Sequence, residues 1–452
     1  MNIEAIYKVY KEHPVVTTDS RKCPEGSMFF ALKGESFNGN AFAAKALEAG
    51  ASVVVVDEAE YAPKDDPRYI LVDDVLATLQ ALASYHRKQF KGPVIQVTGT
   101  NGKTTTKELM AAVLSQKYNV LYTQGNLNNH IGVPLTLLRL RPDEHEIAII
   151  ETGANHPGEI AFLANIVDPD YGLITNVGRA HIEGFGSFKG VKRTKGELYD
   201  YIFAKPSARI FLNANSIDLL VMVEIRGGHF LNPKCICYGH PEDDLPNALC
   251  TGSLIGCTPF VQFKWKQHAS STYYEVDTSL IGAYNLDNLL AAITVGLHFG
   301  IRPEDINEAI ASYTPSLGRS EFRKTDSNEI IIDAYNANPT SMTAAIDNFR
   351  HISKEHKMVI IGDMGELGRV SEDEHQRILA QLIASDIEEI WLVGPNFTRA
   401  AKEMRVTKNE HLRIFADVEA VKATLQTDKP QGRCILVKGS NSTRLYQLPD
   451  LL

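Results

Sequence analysis

The chain has 452 residues, of which 44% are hydrophobic and 22% charged, and a formal net charge of -9. That length gives two or three domains with substantial cores, and the acidic balance argues against nucleic acid as a partner, so local positive sites are expected to serve small anions. No run of about 18 uncharged apolar residues occurs and the amino terminus carries no basic segment ahead of an apolar one, while the six scattered cysteines form neither a disulfide scaffold nor a zinc knuckle, so a soluble cytoplasmic protein without integral membrane association, acting as a monomer, is expected.

In the first stretch, residues 28–32 read as a buried strand, 41–49 as a helix stopped by Gly50, and 51–57 as a second strand, which together make a small α/β unit. Ser20, Arg21, Lys33 and Asn40 sit at the ends of these elements, where side chains can converge on an anionic or sugar-like ligand. A surface ion pair between Arg21 and Asp19 fits the same spacing. A helical pattern over 72–90 then leads to Lys91-Gly92-Pro93, a natural boundary, so the first domain is expected to span 1–90.

The apolar run 94–97 precedes Gly99-Thr100-Asn101-Gly102-Lys103-Thr104-Thr105 and a helical pattern. A buried strand, a glycine turn and a helix start bearing Lys and Thr make a phosphate cradle. Backbone N–H groups and the helix dipole receive phosphate oxygens, Lys103 meets the outer phosphates, and a hydroxyl of Thr104 or Thr105 can join Mg2+. Val97 occupies the first glycine position of the full Walker pattern, yet apolar burial does not explain Lys103, and nucleotide binding is the stronger reading.

Further along, the Asn-rich segment 123–134 suits a ligand loop or a structural turn. Glu151 ends the apolar run 147–150 directly before Thr152-Gly153, where open parallel sheets place ligands, and is a Mg2+ candidate or a cap. His181 follows a second strand end and reads as a phosphate, metal or water contact or an exposed turn residue. Lys192, Arg193, Lys195 and Glu197 lie on a charged helix that is either solvated or supplies one lysine to a phosphate or, as a CO2 adduct, to a metal. Residues 206–275 read as strands and loops, with a turn at 241–246. Asn285 and Asn288, three apart on a helix, share a face suited to a base or ribose, or to an internal polar contact. The central domain is expected over 91–313.

In the last domain, expected over 314–452, Arg319 sits at the boundary, where it binds phosphate on domain closure or forms an interdomain ion pair. Strand ends recur at Asp333-Ala334-Tyr335-Asn336-Ala337-Asn338-Pro339, at 358–364, at 389–394 and at 434–441. This alternation predicts a second doubly wound sheet with polar groups on one rim.

Thr98 to Thr105 resembles the shortened phosphate loop of the Mur ligases and folylpolyglutamate synthetases. Asn126-x-Asn128-Asn129-x-Ile131-Gly132-Val133-Pro134, Glu151-x-Gly153-Ala154, Ala180-His181, Asp333-x-Tyr335-Asn336-Ala337-Asn338-Pro339, Gly362-Asp363-Met364-x-Glu366-Leu367-Gly368 and Lys438-Gly439-Ser440 extend the resemblance to the Mur ligase family over nearly the whole chain. The resemblance implies a three-domain α/β architecture with a central P-loop ATPase-like domain and a Rossmann-like C-terminal domain. It also implies an ATP-dependent amide ligase that uses Mg2+ and joins D-alanyl-D-alanine to UDP-N-acetylmuramoyl-tripeptide through an acyl phosphate. By that likeness, Ser20, Arg21, Lys33, Gly39 and Asn40 meet the uridine diphosphate, and Gly99 to Thr105 hold ATP. Thr104 and Glu151 hold Mg2+, His181 is the ligand of a second Mg2+, and Lys195 is a further metal ligand if carbamylated. Asn285, Asn288, Arg319 and Asp333 face the nucleotide, and Tyr335, Asn336 and Asn338 face the acceptor. Lys103, His181 and Lys195 carry the chemistry. A folylpolyglutamate-type ligase and a nonenzymatic ATP-dependent scaffold are the alternatives.

Overall fold

In the computed structural model, described over residues 2–229, 231–241, 245, 248–315 and 320–452, three α/β domains follow one another along the chain. The first is built on four parallel strands in the order Val16–Thr17, Met28–Phe30, Val53–Val56, Tyr69–Leu71. All four valines of the third strand are buried, as expected for a parallel strand covered on both faces. The predicted helix 41–49 is shorter, at Ala43–Glu48, because a 3-10 turn occupies Gly39–Phe42.

The central sheet has nine strands. From the outer edge inward and across they run Tyr274–Ile281, Phe260–Gln267, Ala248–Cys257, Cys235–Gly239, Arg209–Asn213, Tyr171–Ile174, Val94–Thr98, Ile147–Glu151 and Val120–Tyr122. The last seven are parallel and the first two join antiparallel. Residues 206–275 also contain a helix, Ile217–Glu224, started by the Ser216 side chain accepting from Leu219 N–H. Its run of apolar residues masked the helical period. Of the predicted turn at 241–246, residues 242–244 and 246 lie outside the described residues, as does Arg319.

The last domain is a six-stranded sheet in the order Glu321–Lys324, Glu329–Asp333, Cys434–Lys438, Lys357–Gly362, Glu389–Val393, Leu412–Phe415, parallel except for its first pair. Asp363, just past one strand end, accepts from the N–H groups of Asn396 and Phe397 at 2.9 Å each and so starts the neighbouring helix Pro395–Glu403.

The first two domains share one apolar core, in which Ile6, Phe30, Leu79 and Leu82 pack with Val94, Val133, Leu138 and Val167. Polar clamps cross the same seam. The Tyr10 hydroxyl donates to Leu138 O at 2.7 Å, the His86 ring meets Leu140 O at 2.8 Å, and Arg87 donates to the carbonyls of Val167 and Asp168 and to the Asp170 carboxylate. Burial pushes the His86 imidazole below its ordinary pKa, so the clamp is held by a neutral ring. The third domain meets the second differently, through polar groups around the site plus an apolar contact in which Ile281 and Phe260 of the second domain pack with Phe322 and the third domain's core. Among the described residues, no helix is long and apolar enough to cross a membrane.

Candidate active site

The strands Ile147–Glu151, Val94–Thr98 and Tyr171–Ile174 lie side by side and parallel, so their carboxyl ends open onto one edge. There the chain turns through Gly99 and Gly102 into the helix Lys103–Leu114. Both glycines are required. Gly99 has φ +147° and a Cβ built on it would lie 2.0 Å from Thr175 Oγ1, while Gly102 has φ +76° and a Cβ there would lie 2.6 Å from Asn288 Oδ1. Gly99→Ala is therefore expected to destabilise the fold by about 2 kcal/mol or more and to abolish nucleotide binding, as read from chemical melts and from titration with a fluorescent ATP analogue.

Lys103 folds back over this turn, donating to Gly99 O at 2.9 Å and Thr100 O at 3.0 Å, with its ammonium on the mouth of the loop. Asn176 braces the loop from the next strand end, its Oδ1 accepting from Asn101 N–H and its amide donating to Asn101 O. Across the loop, Glu151 is 1% exposed. It accepts from the Thr104 hydroxyl at 2.9 Å and from the Asn128 amide at 2.8 Å. Behind it lies Lys107, fully buried, which donates to Thr123 O at 2.7 Å and sits 3.9 Å from Glu151. Thr104 and Glu151 thus present two oxygen donors that a divalent cation can share.

Asn101, Lys103, Thr104, Asn128, Glu151 and Asn176 line one cavity of about 630 Å3 between the second and third domains, with Lys107 behind its wall. From the expected set, Thr100 to Thr105, Glu151, His181, Lys195, Asn285, Asn288, Asp333, Tyr335, Asn336 and Asn338 are brought together on its wall, and Gly99 lies at its base in the loop. Lys195 is 2% exposed and its amine makes no hydrogen bond among the described residues; it lies 5.9 Å from the Phe185 ring centre. Burial first, and then the Lys103 charge, push its pKa down to about 7. Lys192 diverges from it and pairs with Asp218. His181 stands at φ +51°, with the Glu366 carboxylate of the third domain against its Nδ1. On the wall formed by the helix Asn285–His298, Asn288 donates to Asn285 Oδ1 and accepts from Thr106, so both asparagines make internal contacts. Tyr284 hydrogen-bonds Ser320 at 2.9 Å. From the third domain, Lys438 pairs with Asp333, and Asn338 caps the helix Pro339–His351 while donating to Asn101 Oδ1 at 2.7 Å.

Ser20, Arg21, Lys33, Gly39 and Asn40 are not on this wall. Arg21 is exposed and forms a two-pronged pair with Asp19, and Lys33 pairs with Asp57. Asn40 is buried: its amide donates to Asp57 and Asn38 and its oxygen accepts from Asp57 N–H. Spacing alone missed Lys107, Asn176 and the reach of Glu366. A lysine inside an otherwise apolar helical face was the available signal for Lys107, and an Asn just past a strand end was the signal for Asn176.

Phosphate loop, facing carboxylate and a second domain closing over both define an ATP-binding ligase fold. Three family models match in order along the chain: the Mur ligase family catalytic domain over residues 14–87, the Mur ligase middle domain over 97–296 and the Mur ligase glutamate ligase domain over 318–441. The UDP-N-acetylmuramoyl-tripeptide–D-alanyl-D-alanine ligase of Escherichia coli is 35% identical over 96% of this chain and 92% of its own, and that of Treponema pallidum is 33% identical over 97% and 93%. A crystal structure of MurF from Acinetobacter baumannii superposes with a TM-score of 0.82 at 32% identity, covering 96% of this chain and 92% of that one. The chain belongs to the Mur ligase family.

Proposed function

We propose that this protein joins D-alanyl-D-alanine to UDP-N-acetylmuramoyl-tripeptide at the expense of ATP, giving the UDP-linked pentapeptide precursor of peptidoglycan, ADP and phosphate. The observation that carries this reading is the single cavity in which the phosphate loop and Glu151 face Asn336, Asn338 and Lys438 of the third domain. We place the domain boundaries at 90/91 and 313/314, with the UDP-sugar peptide on the first domain, ATP on the second and the dipeptide on the third. The same reading puts the enzyme in the cytoplasm as a monomer, with Ser20, Arg21, Lys33 and the Gly39-Asn40 turn toward the uridine diphosphate.

The donors fit Mg2+. A buried carboxylate and a hydroxyl 2.9 Å apart at the mouth of a phosphate loop match an ion that takes one or two carboxylates and completes its shell with phosphate and water. Thr104 and Glu151 would hold it, and His181 would hold a second Mg2+, joined by Lys195 as a carbamate. When bound, Mg2+ neutralises charge developing on the transferred phosphoryl group.

The tripeptide carboxylate attacks the γ-phosphorus and ADP leaves, which produces an acyl phosphate. The dipeptide amine then attacks the acyl carbon, and phosphate leaves with the bonding pair as the amide forms. Lys103 releases the carbonyls of Gly99 and Thr100 and turns to the phosphate oxygens. The loop N–H groups point at the same oxygens. Asn338 and Lys438 bring the dipeptide side of the cavity down on the loop and exclude water from the acyl phosphate.

Mass spectrometry of a reaction with ATP, Mg2+, D-alanyl-D-alanine and either the lysine or the diaminopimelate tripeptide tests this. The pentapeptide with stoichiometric ADP is the expected result. No amide product from folded enzyme with both tripeptides overturns it. A folylpolyglutamate-type ligase shares the central chemistry but lacks the first module, matched here over residues 14–87.

A further inference from the structure

Among the polar contacts between the third domain and the central one, three lie on the His181 side of the cavity or on its phosphate loop. Asn338 donates to Asn101 of the phosphate loop at 2.7 Å; Arg179 pairs with Glu374 at 3.0 Å while its N–H meets Thr340; and the 181–184 turn meets the 366–368 turn, with Glu183 N–H donating to Glu366 O at 3.4 Å. The third point is unlike the others. His181 at φ +51° and Glu366 at φ +58° both hold the left-handed conformation that non-glycine residues avoid, and they face each other across the gap. Gly368 lets the backbones close, since a Cβ on it would lie 3.1 Å from the Glu183 Cβ. Paired strain of this kind persists only where the surroundings over-determine it, and it gathers at functional sites. The Glu366 carboxylate lies against His181 Nδ1, yet that nitrogen is buried without an aligned hydrogen bond, and Nε2 makes none among the described residues.

We propose that Glu366 is a positioning residue for His181: its carboxylate, delivered by domain closure, holds the imidazole in the Nδ1–H tautomer and leaves the Nε2 lone pair for the cavity. This rests on the reading of the cavity as the ATP and Mg2+ site. A carboxylate on one ring nitrogen fixes which nitrogen is left to accept, as it does for histidines that bind metals. Because the carboxylate belongs to one domain and the imidazole to the other, the histidine becomes competent only when the cavity is closed. The helix Lys103–Leu114 and Glu151 are complete within the central domain. His181 is not.

The test uses the full chain labelled in its histidine nitrogens, with His181→Gln to assign the signal. Wild type in the presence of ATP and Mg2+ is expected to show His181 in the Nδ1–H form. Glu366→Ala is expected to lose that preference and to lower kcat about 10- to 100-fold, with the KM for ATP changed less than about twofold. Glu366→Gln, whose amide oxygen still accepts from Nδ1–H, is expected to keep the tautomer and recover part of kcat. Arg179→Ala loosens closure at a separate point and is expected to leave the tautomer of the closed complex unchanged. The proposal is overturned if Glu366→Ala leaves the tautomer as in wild type, or if Arg179→Ala shifts it as far as Glu366→Ala does. The tautomer arm needs no ligation product. A wild type that makes no pentapeptide but shows the expected tautomers sinks the proposed function and leaves the role of Glu366 standing.

Discussion

Replacing Lys103 by methionine is expected to lower turnover about a thousandfold, the scale seen when a positioned charge or donor is removed from a developing anion. The side chain is half-buried and donates to Gly99 O and Thr100 O at the mouth of the loop. The larger loss is expected in chemistry, with urea melts separating it from any loss of fold. Lys103→Arg is expected to fail nearly as badly, because a planar fork does not fill the place of a compact ammonium. Single-turnover formation of ADP with the tripeptide alone is the measurement. Wild-type rates from the methionine variant would remove Lys103 from the phosphoryl step.

Lys195→Met is expected to lose activity about a hundredfold while gaining stability at neutral and lower pH. Its folded pKa is about 7 against an ordinary 10.5, because burial and the Lys103 charge both disfavour the ammonium. Between those two values the unfolded chain binds the extra proton, so the wild type gains stability as pH rises from about 7 to 10.5 and carries the full penalty below about 7. In CO2-free buffer the variant should exceed wild type by a few kcal/mol at about pH 6, and the difference should vanish toward about pH 10.5. Urea melts across that range read it directly. Activity has the same sign. The free amine, which takes up CO2 to give a carbamate and a proton, predominates above about pH 7, so activity rises through that pH. Carbon NMR with labelled bicarbonate should show a carbamate signal that is absent from Lys195→Met. A variant less stable than wild type at about pH 6 would contradict the buried-amine account.

The parts of the site carried by local pattern were readable in the sequence. A strand, a glycine turn and Lys-Thr at a helix start marked residues 98–105, and a carboxylate past a run of four apolar residues marked Glu151, because both depend on spacing along one segment. What depends on packing was not. The spacing of Lys192 and Lys195 allowed a shared role, and it is the packing of Ile182–Phe185 and Glu159–Val167 on the helix Phe188–Ala204 that accompanies the enclosure of Lys195 while Lys192 turns to Asp218. The bonds that anchor Asn40 to Asp57 were not readable either, because they join positions 17 residues apart. The 362–368 stretch was visible as a motif, but its meeting with the 181–184 turn lies in the closure of two domains. The helix Ile217–Glu224 was missed because nearly continuous apolar residues have no period to read.

The continuous apolar core under the first two domains has a consequence for recombining members of the family. A chimera spliced at 90/91 would have to match Ile6, Leu79 and Leu82 from one parent to Val133, Leu138 and Val167 from the other, and mismatched volumes there cost about 1–3 kcal/mol apiece. A splice near 313/314 cuts mainly polar contacts, with Ile281 and Phe260 as the apolar residues to match. The first and second domains should therefore be transplanted as one block, with the third exchanged as a cassette.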